Sequence, residues 1–225
     1  AMPLSVTLWW LARGLANGEP LRLTFVAMAN SLRVAAMAAA ACVVAATPVA
    51  VWIARHPSRT GRFVERASYA GYALPGIVVA LAFVFFGARF GGVLYQTTAL
   101  LVLAYVVLFL PQALGAMRTS LQQVPDGAED AARTLGSGPF TALVRVVLPM
   151  ARGGALSGGA LVFLTTLKEL PATLLLSPIG FDTLATQVWS ATEGAFFARA
   201  AAPALLLILV GSVPLAVMAF VRERH

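Results

Sequence analysis

The chain has 225 residues, of which 60% are hydrophobic and only 11% charged. A soluble domain carries about 25% charged residues, so the composition excludes a soluble enzyme, a disordered tail and a disulfide scaffold. The net charge is +7, and every basic residue except Lys168 is arginine. No groove-like segment interleaves these arginines with aromatic residues, so no nucleic-acid partner is expected. Basic residues retained on the cytoplasmic side of a membrane account for the excess. Cys42 stands alone inside an apolar run, and neither His56 nor His225 has a second ligand nearby. No metal site and no cofactor are expected on this chain.

Ala1 precedes Met2, so the chain reads as a fragment, an excised domain or a sequence with an added residue. Residues 3–12 are apolar but lack a basic lead and a small-residue cleavage pattern, so no signal peptide is expected. Trp9 and Trp10 beside Arg13 suit a segment at the membrane interface or an ordinary amphipathic turn. Residues 1–30 are set apart as an extracytoplasmic or interfacial segment, and residues 31–225 as a transmembrane domain. Asn30 and Arg33 read as the interfacial beginning of the first span, with polar packing as the alternative.

The first span is expected over 32–54, stopped by Arg55-His56-Pro57. A basic loop with Arg59, Arg62 and Arg66 follows. The second span covers about 67–88 and contains Pro75-Gly76. The third covers about 96–116, with Pro111 near its end. Residues 118–152 form a long polar segment. The fourth span begins near Gly153, is interrupted by Lys168 and Glu169, and resumes to Leu176. The fifth covers about 200–221. A bilayer-spanning helix needs roughly 20 apolar residues, and runs that are continuous rather than alternating argue against a β-barrel. The expected fold is all-α and polytopic, with about five transmembrane helices and a cytoplasmic helix–turn–helix. Five spans place ten basic residues on one side and five on the other. The amino terminus is therefore expected outside and the carboxyl terminus in the cytoplasm. Residues 118–152 are then cytoplasmic, and 177–199 lie outside.

The segment 125–149 reads PDGAEDAARTLGSGPFTALVRVVLP. Asp126 and Glu129 have capping-box spacing, and Glu129 and Arg133 can pair across one helical turn. Ala128, Ala131 and Ala132 give a small-residue face. Gly136 supplies the conformational freedom to leave the helix. Pro139 suits the first turn of a second helix. Phe140, Leu143, Val144 and Val147 then recur at helical spacing, and Leu148-Pro149 closes the segment. The pattern predicts a helix–turn–helix against the cytoplasmic membrane face, with a closely approachable elbow. A plain amphipathic connector is the alternative.

This segment resembles the EAA loop of importer-type ABC permeases, whose pattern is E-A-A, a spaced glycine, an isoleucine and a closing L-P. The matching residues are Glu129, Ala131, Ala132, Gly136 and Leu148-Pro149, with Val146 near the isoleucine position and Asp130 as an insertion. The resemblance implies that the loop docks into a cytoplasmic ATPase subunit. The stretch ELPATLLL from Glu169, followed by FDTLA and Trp189, resembles the second half of ferric-iron permeases of the binding-protein-dependent class. Sulfate, molybdate and thiamine permeases share the loop and a related acidic segment. The resemblance implies an inner-membrane permease, multi-pass in a bacterial membrane, with no catalytic site of its own. Its implied partners are an ABC ATPase dimer, an extracytoplasmic substrate-binding protein, a second permease half and membrane lipid.

Lys168 and Glu169 interrupt an apolar run, and such charges cost about 2.5–3.5 kcal/mol at bilayer depth. Pro171 forces a bend or an end there. One reading puts Lys168, Glu169 and Pro171 beside the translocation path, where irregular backbone is tolerated. The other ends the helix early and leaves the pair in the outer interface. Gly153, Gly154, Gly158 and Gly159 suit close helix packing, and without a GK[ST] element they form no phosphate loop. An ion-coupled secondary transporter, with Lys168 and Glu169 as the coupling pair, is the alternative function. A membrane-embedded enzyme would need a catalytic cluster that the residues do not supply.

Overall fold

A computed structural model describes residues 2–18, 21–55, 59–125 and 127–223. Helices occur throughout, and no strand occurs among the described residues. They are α1 (Met2–Ala16), α2 (Leu21–Arg55), α3 (Arg59–Ala73), α4 (Gly76–Phe90) and α5 (Thr98–Gln122). A second group follows: α6 (Gly127–Thr134), α7 (Pro139–Ala142), a π-helical turn (Leu143–Val147) and α8 (Leu148–Met150). The chain continues as α9 (Arg152–Leu167), α10 (Pro171–Leu176), α11 (Leu184–Glu193) and α12 (Phe197–Glu223). Two compact units result. One comprises Ala1–Ala38, Gly76–Tyr105 and Phe163–His225; the other comprises Ala39–Pro75 and Val106–Val162.

Two helices, Thr24–Arg55 within α2 and α5, are long and apolar enough to cross a membrane on their own. Up to four crossings result if α3 with α4, and Pro139–Met150 with α9, each count as one broken span. Helix α12 is apolar over Phe197–Val213. The polytopic all-α expectation therefore stands, but the span boundaries change. The first apolar helix begins at Thr24, not at residue 32, because Arg33 stays exposed on the surface of an otherwise Ala- and Val-rich helix. A straight-chain arginine loses little rotamer freedom in a helix and does not stop one. The stop at His56-Pro57 and the capping position Asp126 lie outside the described residues.

The second span is not continuous. Residues 67–73 belong to α3, and α4 restarts at Gly76. Pro75 lacks an N–H and biases Leu74 away from helical geometry, so the break falls where the proline demands. Pro111 behaves differently, because α5 runs on through it to Gln122. Pro48 is likewise inside α2. Prolines are tolerated in apolar helices where neighbours satisfy the freed groups.

In the second unit, α9 approaches α5 through glycine. A Cβ on Gly154 would fall 2.5 Å from Ser120 Cβ and 2.8 Å from the Ala116 carbonyl oxygen. One on Gly158 would fall 3.0 Å from Ala113 Cα. The two glycines are four apart, one turn of the same face, so the backbones meet directly. Gly159 meets Val43 at ordinary contact distance, and Gly153 faces open space. Only half of the glycine cluster serves the expected close packing.

In the first unit, α1 lies on the start of α12. The Trp10 ring is 5.7 Å from Phe197, and Arg13 stacks 4.9 Å from the Trp9 ring. Helix α1 is docked within this unit, and α2 begins at Leu21, inside the stretch 1–30.

Candidate functional site

The elbow at 127–150 is built by local rules. Helix α6 ends in a paired turn in which Ser137 N–H donates to the Ala132 carbonyl (3.0 Å) and Gly136 N–H to the Arg133 carbonyl (3.0 Å). Gly136 has φ +86°. This is a Schellman stop, and it requires a residue that enters the left-handed region without penalty. A Cβ on Gly136 would meet nothing within 4 Å. The glycine is therefore needed for its backbone conformation and not for space. Gly138 is extended at the next N-cap, and Pro139 takes the first helical position.

The helix that follows is interrupted by the π turn. Leu148 N–H donates to the Leu143 carbonyl, five residues back. Pro149 cannot donate, and its ring would clash with the carbonyl four residues earlier in a regular α-helix. The wider turn just upstream relieves that crowding. The run Pro139–Met150 then meets α9 at a bend of 62°, where Ser120 Oγ donates to the Ala151 carbonyl at 3.3 Å.

Glu129 does not pair with Arg133. Its carboxylate pairs with Arg55, at the end of α2. A second ion pair joins Arg118 of α5 to Glu65 of α3. The amphipathic stripe is also divided. Val147 is buried and Leu143 partly so, whereas Phe140 is 75% exposed and Val144 is also open. Leu135, one residue before the turn glycine, is 87% exposed. Ala132 is buried and Ala131 is exposed. Leu148 is half-buried and Pro149 exposed. The elbow thus presents two large apolar side chains, Leu135 and Phe140, on either side of a glycine turn.

The second feature lies in the first unit, where α9 stops at Leu167 and α10 begins at Pro171. Glu169 turns back onto the start of α10. Its carboxylate accepts Ala172 N–H (3.1 Å), Thr173 N–H (3.2 Å) and Thr173 Oγ1 (3.2 Å). Thr173 Oγ1 also lies 2.7 Å from the Glu169 carbonyl oxygen and 2.6 Å from Tyr105 Oη. Tyr105 and Thr173 are buried. The position of a Cβ on Gly76, the first residue of α4, is 3.2 Å from Glu169 Oε1. Lys168 is exposed and makes no ion pair among the described residues. In the same unit, Asn30 Nδ2 donates to the Asp182 carbonyl (3.0 Å) and Ser31 Oγ accepts Leu184 N–H (2.8 Å). Asn30 thus makes a tertiary hydrogen bond, in keeping with the polar-packing alternative. Thr183 caps α11 in a capping box with Thr186, and Gly180 turns the loop at φ +78°.

Residues 46–224 match the family described as binding-protein-dependent transport system inner membrane component. This chain belongs to that family. The permease is 35% identical to the Fe(3+)-transport system permease protein FbpB 2 of Haemophilus influenzae, over 95% of this chain and 42% of that protein. It therefore spans less than half the length of that relative. It is 27% identical to a putative 2-aminoethylphosphonate transport system permease protein of Salmonella choleraesuis, over 84% of this chain and 74% of the relative. It is 29% identical to the molybdenum transport system permease protein ModB of Mycobacterium bovis, over 66% and 60% of the two chains. Among solved structures, a chain of an amino acid ABC transporter has the same fold, with a TM-score of 0.68, 19% identity and coverage of 94% and 98%. A chain of the MetNI methionine ABC transporter, in an inward-facing conformation, gives a TM-score of 0.66 at 19% identity. The relatives are permeases of transport systems, and the family is one of the bacterial inner membrane.

The permease brings its expected site residues together in two places. Glu129, Ala131, Ala132, Gly136, Leu148 and Pro149 share the elbow in the second unit. Lys168, Glu169 and Pro171 share the break before α10 in the first. Arg55, Tyr105, Thr173 and Ser31 were not among the expected site residues. Only Arg55 carried a signal, as a basic residue at a predicted helix end. A tyrosine, a threonine and a serine inside apolar runs read as core until their partners are seen.

Proposed function

We propose that this permease is a transmembrane domain of an ABC importer that moves ferric iron across the inner membrane. The energy is supplied by ATP hydrolysed on a separate subunit. The carrying observation is the elbow: a glycine turn with exposed Leu135 and Phe140 beside it, tethered to the end of α2 by Glu129 and Arg55. Two large apolar side chains at a turn suit insertion into a cleft of a partner. That partner is a cytoplasmic ATPase dimer. Displacement of the elbow reaches the apolar helices along α2, through the ion pair, and along α9, through the bend at Ala151.

An extracytoplasmic binding protein delivers cargo near residues 177–199. A second permease half, in the same polypeptide or in a partner subunit, completes the pore. The amino terminus lies outside and the carboxyl terminus inside. Iron as cargo rests on the Fe(3+) permease relative and on the ELPATLLL stretch. An oxyanion or phosphonate is the second reading. It is favoured by Lys168, which stands exposed while the neighbouring carboxylate is occupied by backbone N–H groups.

The test is uptake of radiolabelled iron, molybdate and 2-aminoethylphosphonate in cells expressing the full transporter. Iron uptake that requires the ATPase and is abolished by its inactivation supports the first reading. Uptake of only an anion supports the second, and uptake independent of the ATPase overturns both. For orientation, single cysteines at Ser137 and Ser190 in a Cys42→Ser background label from opposite sides. Labelling of the Ser137→Cys variant in intact cells by an impermeant reagent overturns the cytoplasmic elbow.

A further inference from the structure

Helix α3 meets α5 at three points: a Cβ on Gly71 would fall 2.5 Å from the Val107 carbonyl oxygen, Tyr69 Oη lies 3.1 Å from the Cβ position of Gly115, and Glu65 pairs with Arg118. Beside Glu65 and Tyr69, Arg59, Arg62 and Arg66 recur at i, i+3 and i+7, a single stripe along the helix. All three are exposed, and none forms an ion pair among the described residues. Arg62, Arg66 and Tyr69 line an open depression of about 480 Å³ with Glu65 and Ala70. Its only carboxylate is already held by Arg118. Phe63 (73% exposed) and Tyr72 (63% exposed) project from the same helix.

We infer that the arginine stripe of α3 binds the phosphate headgroups of anionic phospholipid, with the Arg62–Arg66–Tyr69 depression seating one headgroup. Charge complementarity points there. Three guanidiniums with planar, bidentate donors suit phosphate oxygens, and the one nearby carboxylate cannot compete. Phe63, next to the stripe in helical projection, suits the boundary between headgroup and acyl chain. The family supplies the membrane: α3 connects two apolar helices of an inner-membrane component, so a leaflet is within reach of its outward face. A protein partner docking on the same stripe is the competing occupant, and the experiment separates the two.

The experiment uses the permease with its ATPase, placed in bilayer discs of mixed phosphatidylglycerol and phosphatidylcholine. Retained lipid is counted by native mass spectrometry after delipidation. The wild type is expected to retain phosphatidylglycerol preferentially. Arg62→Gln with Arg66→Gln lowers that retention about thirtyfold, the effect of two arginines beside an anionic leaflet. The Arg62→Lys, Arg66→Lys pair keeps the charge and loses only the bidentate geometry, so it retains an intermediate amount, and it serves if the neutral pair does not fold. Arg89→Gln, on α4, leaves retention unchanged. Equal phosphatidylglycerol retention by the wild type and the neutral pair overturns the proposal. So does inorganic phosphate binding with the same arginine dependence but no lipid preference. Loss of ATPase association with lipid retention intact would assign the stripe to a protein instead.

Discussion

Replacing Glu169 with glutamine separates two roles that one carboxylate could play. In the structure its oxygens accept two backbone N–H groups and the Thr173 hydroxyl. Hydrogen bonds to a charged group contribute about 1.5–3 kcal/mol, against about 0.5–1.5 for neutral ones. Glutamine keeps one acceptor oxygen but turns the other position into a donor facing N–H groups. Two of the three bonds are weakened or lost, so the expected destabilisation is about 2 kcal/mol. For a chain of this size that is a fall of about 4–8 °C in melting temperature. Thr173→Val removes the link to Tyr105 and is expected to lower the melting temperature as well. Lys168→Met, at an exposed position, leaves it unchanged. The assay is thermal unfolding of the purified transporter, followed by loss of the monodisperse species, alongside uptake in cells at matched membrane abundance. If Glu169→Gln melts with the wild type and still abolishes uptake, the carboxylate acts on cargo and the capping argument is wrong.

Three further outcomes follow from the geometry. Gly136→Asn is tolerated, whereas Gly136→Val forces a branched residue to φ +86° at a cost of at least ~1–2 kcal/mol, so ATPase copurification falls in the valine variant alone. Gly154→Val drives methyl groups into Ser120 and the α5 backbone and lowers membrane abundance, at about 1–3 kcal/mol of overpacking, while Gly153→Ala is silent. Glu129→Arg places two like charges together at the end of α2 and impairs coupling, and the exchange Arg55→Glu with Glu129→Arg restores ATPase-dependent uptake. Failure of that exchange to restore more than the single variant, at equal abundance, removes the ion pair from the coupling route.

The elbow was legible because its causes are local. A glycine at the helix stop and a proline at the next start act within a turn of the chain, and both are in the residues as written. The break at Pro75 was visible as a proline but not as a division between helices, since Pro48 and Pro111 look no different and are absorbed. What decides among them is the neighbouring surface: α3 meets α5 at Gly71 and through the Glu65–Arg118 pair, contacts tens of residues away in the chain. The same limit applies to Glu129 and Glu169. Sequence spacing offered Arg133 as a partner for Glu129, but Arg55 is closer in space. Glu169 looked like a stranded charge because Tyr105, which completes its hydrogen-bonded group, is far off in the chain, although Thr173 lies one turn on.

The π turn at Leu143–Val147 sets a phase between the elbow and the helix behind it. Successive residues of an α-helix are rotated by about 100°, and a five-residue repeat stores one extra residue in a single turn. The azimuth of Phe140 relative to Leu148-Pro149 is therefore not the one that counting along a regular helix would give. The same residues wound as plain α-helix would carry Phe140 round to another side, whereas a chain one residue shorter would need no π turn to face the same way. The π turn is thus an angular correction: it lets the segment between the glycine and the closing Leu-Pro carry one more residue while the elbow still faces the same way.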